Sequence, residues 1–308
     1  MVVRKAAAAG RFYPRFKSNL KSSLEESFKD QKYGPGKDFH TKGQDIKERS
    51  VLGGVFPHAG YPYSGPAAAH SIQKVFEEGI PDTVIILGTS HTGYNKIGLM
   101  KNGDWETPLG KIKVDSNLAS LILEKTDNIH EDDSAFNGFP HGREHCIEVQ
   151  VPFVQYAAEK ASKTIKILPI KVGVMDLNIL KEIGKTIAAA IEKSKNEGKD
   201  IAVIASSDMT HYQPDDPYNA GKEVKNTQYK RDEAVIDAFL SLDIDKTYKK
   251  ARETSVCGPQ TISTLLAIGN ELGYKNAEKI IYYTSFEKTG EEEPSDYSVG
   301  YFSGVLKK

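Results

Sequence analysis

Three apolar runs in this chain end in the same way, and that pattern limits the fold more than any other feature. Val51 to Phe56 (VLGGVF) is stopped by Pro57, and His58 follows at once. Thr83 to Ser90 (TVIILGTS) runs into His91, and Ile201 to Ser207 (IAVIASS) runs into Asp208 and His211. Continuous apolar runs of strand length, closed by turn formers, read as strands buried on both faces, as in a parallel sheet. In open α/β sheets the ligand crevice lies outside the carboxyl ends of the strands. The pattern therefore predicts one pocket that receives His58, His91 and His211.

Between these runs, strand-like and helix-like segments alternate without an internal repeat. That order predicts one α/β domain over residues 1–308, with a central mixed, largely parallel sheet flanked by helices. Helices are expected at 19–29, 66–76, 116–125, 176–192, 230–240, 243–252 and 260–272, with Pro66 opening the second, and Ser116 and Asp176 as caps. Further strands are expected at 165–172, 280–286 and 297–306, with hairpin-like strands at 96–100 and 103–114. Residues 3–12 read as a segment tucked at the sheet rim. Stretches 32–49, 132–139 and 212–226 read as loops, the last able to fold over a site. His40 is then a solvent-exposed loop histidine, His70 a helix-face histidine, and His141 a loop residue.

Composition removes several function classes. With 41 basic and 42 acidic residues and no basic stripe, nucleic acid is not favoured as a partner. The apolar runs fall far short of the roughly 20 residues a membrane helix needs. Arg11 and Arg15 interrupt the N-terminal alanines too soon for a signal peptide. Only Cys146 and Cys257 are present, which suits a reducing compartment and predicts a cytoplasmic protein. No G-x-S-x-G elbow, Walker A loop, HExxH, paired CxxC or G-x-G-x-x-G motif occurs.

Four groups of residues could carry chemistry. Imidazoles from three strand ends make a site for iron, copper or zinc with positions left for substrate. Asp208 precedes His211 by three residues, so it could orient that imidazole or cap the element after the strand. In EHCIEVQVPFVQY (144–156), His145 and Glu148 share a face if the segment is helical. That pair could be a metal pair, a proton relay or a solvated ion pair, and spacing alone favours the last. Cys257, in VCGP, has its backbone restricted by Gly258 and Pro259. It reads as buried filler unless it meets the histidines, where its thiolate would bind a soft or borderline metal.

Read together, AGRFYP (9–14), PHAGY (57–61), LGTSH (87–91), EHCIEVQVPF (144–153), SSDMTHY (206–212) and VCG (256–258) resemble the Memo family. Its archaeal and bacterial members are described as component B of the AmmeMemoRadiSam system. Cys146 stands where the family usually has serine. The family is similar to the class III extradiol dioxygenases, non-haem iron enzymes that open catechol rings. The resemblance implies that fold, with His58, His91 and Cys257 as metal ligands and His211 beside Asp208 as the proton-moving group. It also implies that His145 and Glu148 line the site; Tyr61 and Ser90, close to His58 and His91 in sequence, are expected to line the same pocket. A cysteine where the dioxygenases carry a carboxylate suits copper as well as ferrous iron. Three functions are then expected to compete: redox chemistry on a small molecule, non-catalytic recognition of a protein or peptide through the same pocket, and zinc-dependent hydrolysis.

Overall fold

The three histidine-bearing runs form adjacent strands. In the computed structural model, which describes residues 2–43, 46, 48–138, 142–213, 224–290 and 297–308, Ile201–Ser206 pairs in parallel with both Val51–Phe56 and Thr83–Thr89. Ser206 lies level with Phe56 on one side and Gly88 on the other, so all three chains leave the sheet at one edge. Every residue of these strands is buried. Gly53 is needed for this closeness, because a Cβ there would stand 1.7 Å from the Val203 carbonyl oxygen.

Lys166–Val172 continues the parallel set beyond Thr83–Thr89, and Ser298–Lys307 runs antiparallel on the far side of Val51–Phe56. Among the described residues the sheet has 12 strands, mixed in direction with a parallel centre. Val3–Arg4 joins its rim by pairing with Asp104–Thr107, as expected of the N-terminal segment.

Helices cover the sheet. Leu177–Asn196 is capped by Asp176, whose side chain accepts the Asn178 N–H, and it buries Leu180, Ile183, Ile187 and Ile191 along one stripe. Each such side chain contributes about 1.5–3 kcal/mol relative to exposure. No helix among the described residues is long and apolar enough to cross a membrane.

Several boundaries differ from the sequence reading. The helix after His58 starts at Tyr61, with Pro62 in its first turn and Pro66 inside it. Pro62 supplies the helix-opening signal that Pro66 appeared to give. Asp115, not Ser116, caps its helix by accepting the Leu118 N–H. The strand expected at 280–286 ends at Thr284, where a Thr284–Glu287 capping box turns the chain into helix Ser285–Thr289. The loop expected at 212–226 begins instead with strand His211–Tyr212 and ends in helix Val224–Leu240. The remainder of that loop, like His141, lies outside the described residues.

Candidate metal centre

Asp208 ties the strand ends together. Its Oδ1 accepts the His58 backbone N–H at 2.7 Å, and its carbonyl accepts the Cys257 N–H at 3.2 Å. The Cys257 carbonyl in turn accepts from Thr89 Oγ1 at 2.9 Å, beside the His91 strand end. Gly258 donates its N–H to Ser207 Oγ at 2.9 Å, and a Cβ at this position would stand 2.4 Å from Thr261 Oγ1. A turn from late in the chain is thus clamped by two strand ends, and only glycine fits its tightest point. Cys257 Sγ consequently sits 3.0 Å from His211 Nε2.

The hydrogen-bond network fixes the tautomer of His58. Ser206 Oγ donates its one hydrogen to the Cys146 carbonyl at 2.7 Å and accepts from Gln150 Nε2 at 3.0 Å. His58 Nδ1, 3.0 Å from the same oxygen, must therefore carry the proton. The Nε2 lone pair is left facing His91 Nε2 at 3.4 Å. Two nitrogens bound about 2.1 Å from a tetrahedral ion stand about 3.4 Å apart, so this pair fits a metal without rearrangement. Ser206→Ala is expected to weaken metal binding by about 10–100-fold with the fold intact, checked by chelator competition; an unchanged affinity would remove Ser206 from the account.

Two donor groups share His58. In one, His58, His91, His145 and Cys146 keep their donor atoms within 4.8 Å of one another; in the other, His58, Asp208 and Cys257 do. Imidazole, thiolate and carboxylate together suit iron, copper or zinc.

Charge is arranged around the same atoms. Burial opposes ionisation of Asp208, but His58 and His211 hold its carboxyl down at about 2. Burial likewise opposes a charged His211, yet the Cys257 sulfur and Asp208 push its pKa well above the ordinary histidine value. Burial also disfavours the Cys257 thiolate, and the His211 imidazolium overrides it, lowering the thiol. Each of the two thus favours the charged form of the other. His145, by contrast, is pushed down to about 3 by burial and by neighbouring His58 and His91, so it is neutral. Cys146 is pushed far up by burial and keeps its proton.

The profile of the Memo-like protein family matches residues 4–305. The chain belongs to the Memo family. A MEMO1 family protein of Pyrococcus abyssi is 35% identical over 314 residues, covering 100% of both chains. Others from Desulfurococcus amylolyticus and Methanosarcina barkeri are 39% and 38% identical, over 98% and 94% of this chain and 98% and 95% of theirs. A solved structure of an uncharacterized Escherichia coli K12 protein is similar more loosely, with a TM-score of 0.43 and 16% identity over 73% of this chain and 87% of its own.

In this Memo-family chain, His58, His91, His145, Asp208, His211 and Cys257 share one cavity of about 550 Å³. Phe12, Tyr63, Phe286, Tyr297 and Tyr301 add aromatic surface to its other walls, with small and aliphatic residues between them. Three expected pocket residues lie elsewhere. Tyr61 is buried, with its hydroxyl donating to the Val149 carbonyl at 2.8 Å. Ser90 turns its hydroxyl to the Tyr94 N–H at 3.0 Å, closing the turn that carries His91. Glu148 is fully buried under the N-terminal segment, accepting from Ala7, Ala8 and Tyr13.

His145 and Glu148 diverge because no α-helix joins them: His145 precedes a turn, and Glu148 opens a short 3-10 helix, Glu148–Gln150. The Glu144 carboxylate accepts the Ile147 and Glu148 N–H groups at 2.6 and 3.1 Å, winding a tight turn. The α-helix, Val151–Lys160, begins with Pro152 in its first turn. The solvated-pair reading fails with it, since Glu148 has no exposed surface. Ser206, Gln150 and the aromatic wall carried no local signal of a site, although Ser206, Gln150 and Phe12 all lie inside the Memo-like stretches.

Proposed function

We propose that this Memo-family protein is a non-haem metal-dependent oxidoreductase acting on a small aromatic molecule, with iron or copper held by His58, His91 and Cys257. The carrying observation is the His58–His91 pair, its nitrogens 3.4 Å apart with the His58 tautomer fixed, facing an aromatic-walled cavity. When bound, the metal supplies a redox-active Lewis acid with positions left for substrate. Both cysteines are free, as a thiolate ligand requires, and the reading places the protein in the cytoplasm.

The chain's own residues supply the rest. Phe12, Phe286 and Tyr301 give the cavity an apolar aromatic lining that suits a planar substrate and helps keep water from it. His211 spans two partners: Nε2 lies 3.0 Å from Cys257 Sγ, and Nδ1 lies 2.7 Å from the Tyr297 hydroxyl. With Cys257 committed to the metal, His211 holds a proton at the pocket floor, and half-exposed Tyr297 links it to solvent. Asp208 keeps that imidazole charged and oriented.

A second reading has its own support. Tyr63 and Tyr297 stand 43% and 50% exposed at the cavity rim, which suits docking of a peptide side chain. The test begins with metal analysis of protein purified without added metal, followed by oxygen uptake across a panel of catechols. Near-stoichiometric iron or copper with uptake on one diol is expected. Stoichiometric metal without uptake on any diol removes ring opening and leaves the binding reading. Absence of metal sinks both the centre and its chemistry.

A further inference from the structure

His58 is oriented by a hydrogen bond, but His91 is not. It sits on an exposed turn, and among the described residues its Nδ1 has no hydrogen-bond partner. Metal-binding histidines ordinarily donate that second nitrogen to a carboxylate or carbonyl, which sets the ring. His91 instead lies against the His145 ring, with centroids 5.0 Å apart and planes 14° from parallel. His145 is backed in turn by Phe12 at 4.5 Å and 21°. Phe12, His145 and His91 form a continuous stack, with Arg11 over the outer face of Phe12 at 5.9 Å.

That stacking also decides what His145 can do. An ion lies in the plane of the imidazole that binds it, about 2 Å from the nitrogen. Two face-to-face rings cannot both aim a lone pair at one ion. His58 and His91, whose planes cross at 75°, can. The Nε2 of His145 has a neighbour of its own as well, the Cys146 sulfur at 3.9 Å. His145 is close enough to join the donor group and turned the wrong way to serve in it.

We propose that Phe12 and His145 are positioning residues that hold the His91 ring in its metal-binding orientation by stacking. This rests on the reading of His58, His91 and Cys257 as ligands. The N-terminal segment thereby acts on the centre without touching it, and the nitrogen atoms of His145 are dispensable while its ring is not.

The test is titration of the full-length metal-free protein with cobalt(II), following visible absorption for both affinity and ligand field. His145→Ala and Phe12→Leu are expected to weaken binding by about 10–100-fold, the range for outer-shell partners. His145→Phe, which keeps a ring and removes both nitrogens, is expected to bind within about threefold of the unaltered protein and to give the same spectrum. Circular dichroism checks each fold, and Phe12→Leu carries the test if His145→Ala does not fold. If His145→Phe binds as poorly as His145→Ala, or shifts the spectrum, His145 is a ligand and the proposal is wrong. If His145→Ala or Phe12→Leu binds as tightly as the unaltered chain, the stack does not position His91. If the unaltered protein binds no cobalt, the ligand reading itself falls, and the inference with it.

Discussion

Glu148→Ala is expected to cost about 3–5 kcal/mol of folding stability, the range for stripping one partner from a buried ion pair. Glu148 pairs with the guanidinium of Arg4, and both side chains are almost entirely out of solvent. The same carboxylate accepts the Ala7 N–H at 2.9 Å, the Ala8 N–H at 2.7 Å and the Tyr13 hydroxyl at 2.5 Å. Alanine leaves the two amides without this acceptor and Arg4 without its nearest counter-charge. Glu144, whose Oε2 is 3.9 Å away, compensates in part. Stacking of Arg4 on Trp105, at 4.5 Å, cannot replace the lost ion pair, because it supplies no acceptor. Glu148→Gln should lose less, since the amide oxygen still accepts from the backbone. The measurement is equilibrium urea denaturation of the metal-free protein. A loss below about 1 kcal/mol would mean that this buried network does not hold the N-terminal segment. The consequence reaches the site, because the segment that Glu148 pins carries Phe12 into the pocket wall.

This residue shows where sequence reading stops. The central strands were legible because burial on both faces writes a continuous apolar run, and because Pro57 and Asp208 mark where such runs end. The convergence of His58, His91 and His211 followed from strand order, which places all three carboxyl ends at one edge. Helix Leu177–Asn196 was legible from its cap and stripe. The role of Glu148 was not, because its partners lie 135 to 144 positions away and leave no local trace. The spacing of His145 and Glu148 suggested a helix face, and the buried Glu144 carboxylate made a turn there instead. Cys257 was ambiguous for a related reason. Nothing in VCGP reports that Asp208 and Thr89 will grip that turn from two strand ends. Local pattern thus specified the frame of this Memo-family fold and the ligand-bearing ends. The polar side chains that aim those ends are chosen by tertiary contacts.

Asp208→Asn is expected to give a stability loss that depends on pH in a defined direction. The Asp208 carboxyl is lowered from 3.8 to about 2 in the folded protein, against burial, by His58 and His211. A depressed acid contributes stability that is fully present above its unfolded value and lost as pH falls through its folded one. The contribution is therefore complete near neutral pH and gone below about 2, with a size of roughly 2 kcal/mol from the shift. Asparagine keeps an oxygen that can accept the His58 N–H, so the backbone bond at 2.7 Å is retained while the charge is removed. The difference between the two proteins should then be largest near pH 7 and shrink steadily from about pH 4 to pH 2. A difference that stays constant over that range would assign Asp208 to packing alone. The predicted decline instead identifies the carboxylate's charge as the group that holds His58 and His211 at one centre. His211 keeps the Cys257 sulfur but loses Asp208, the second group that favours its charged form, so its imidazole should titrate at lower pH in Asp208→Asn, as followed by NMR of the metal-free protein. Stability and proton-holding at this site are then two measurements of one carboxylate.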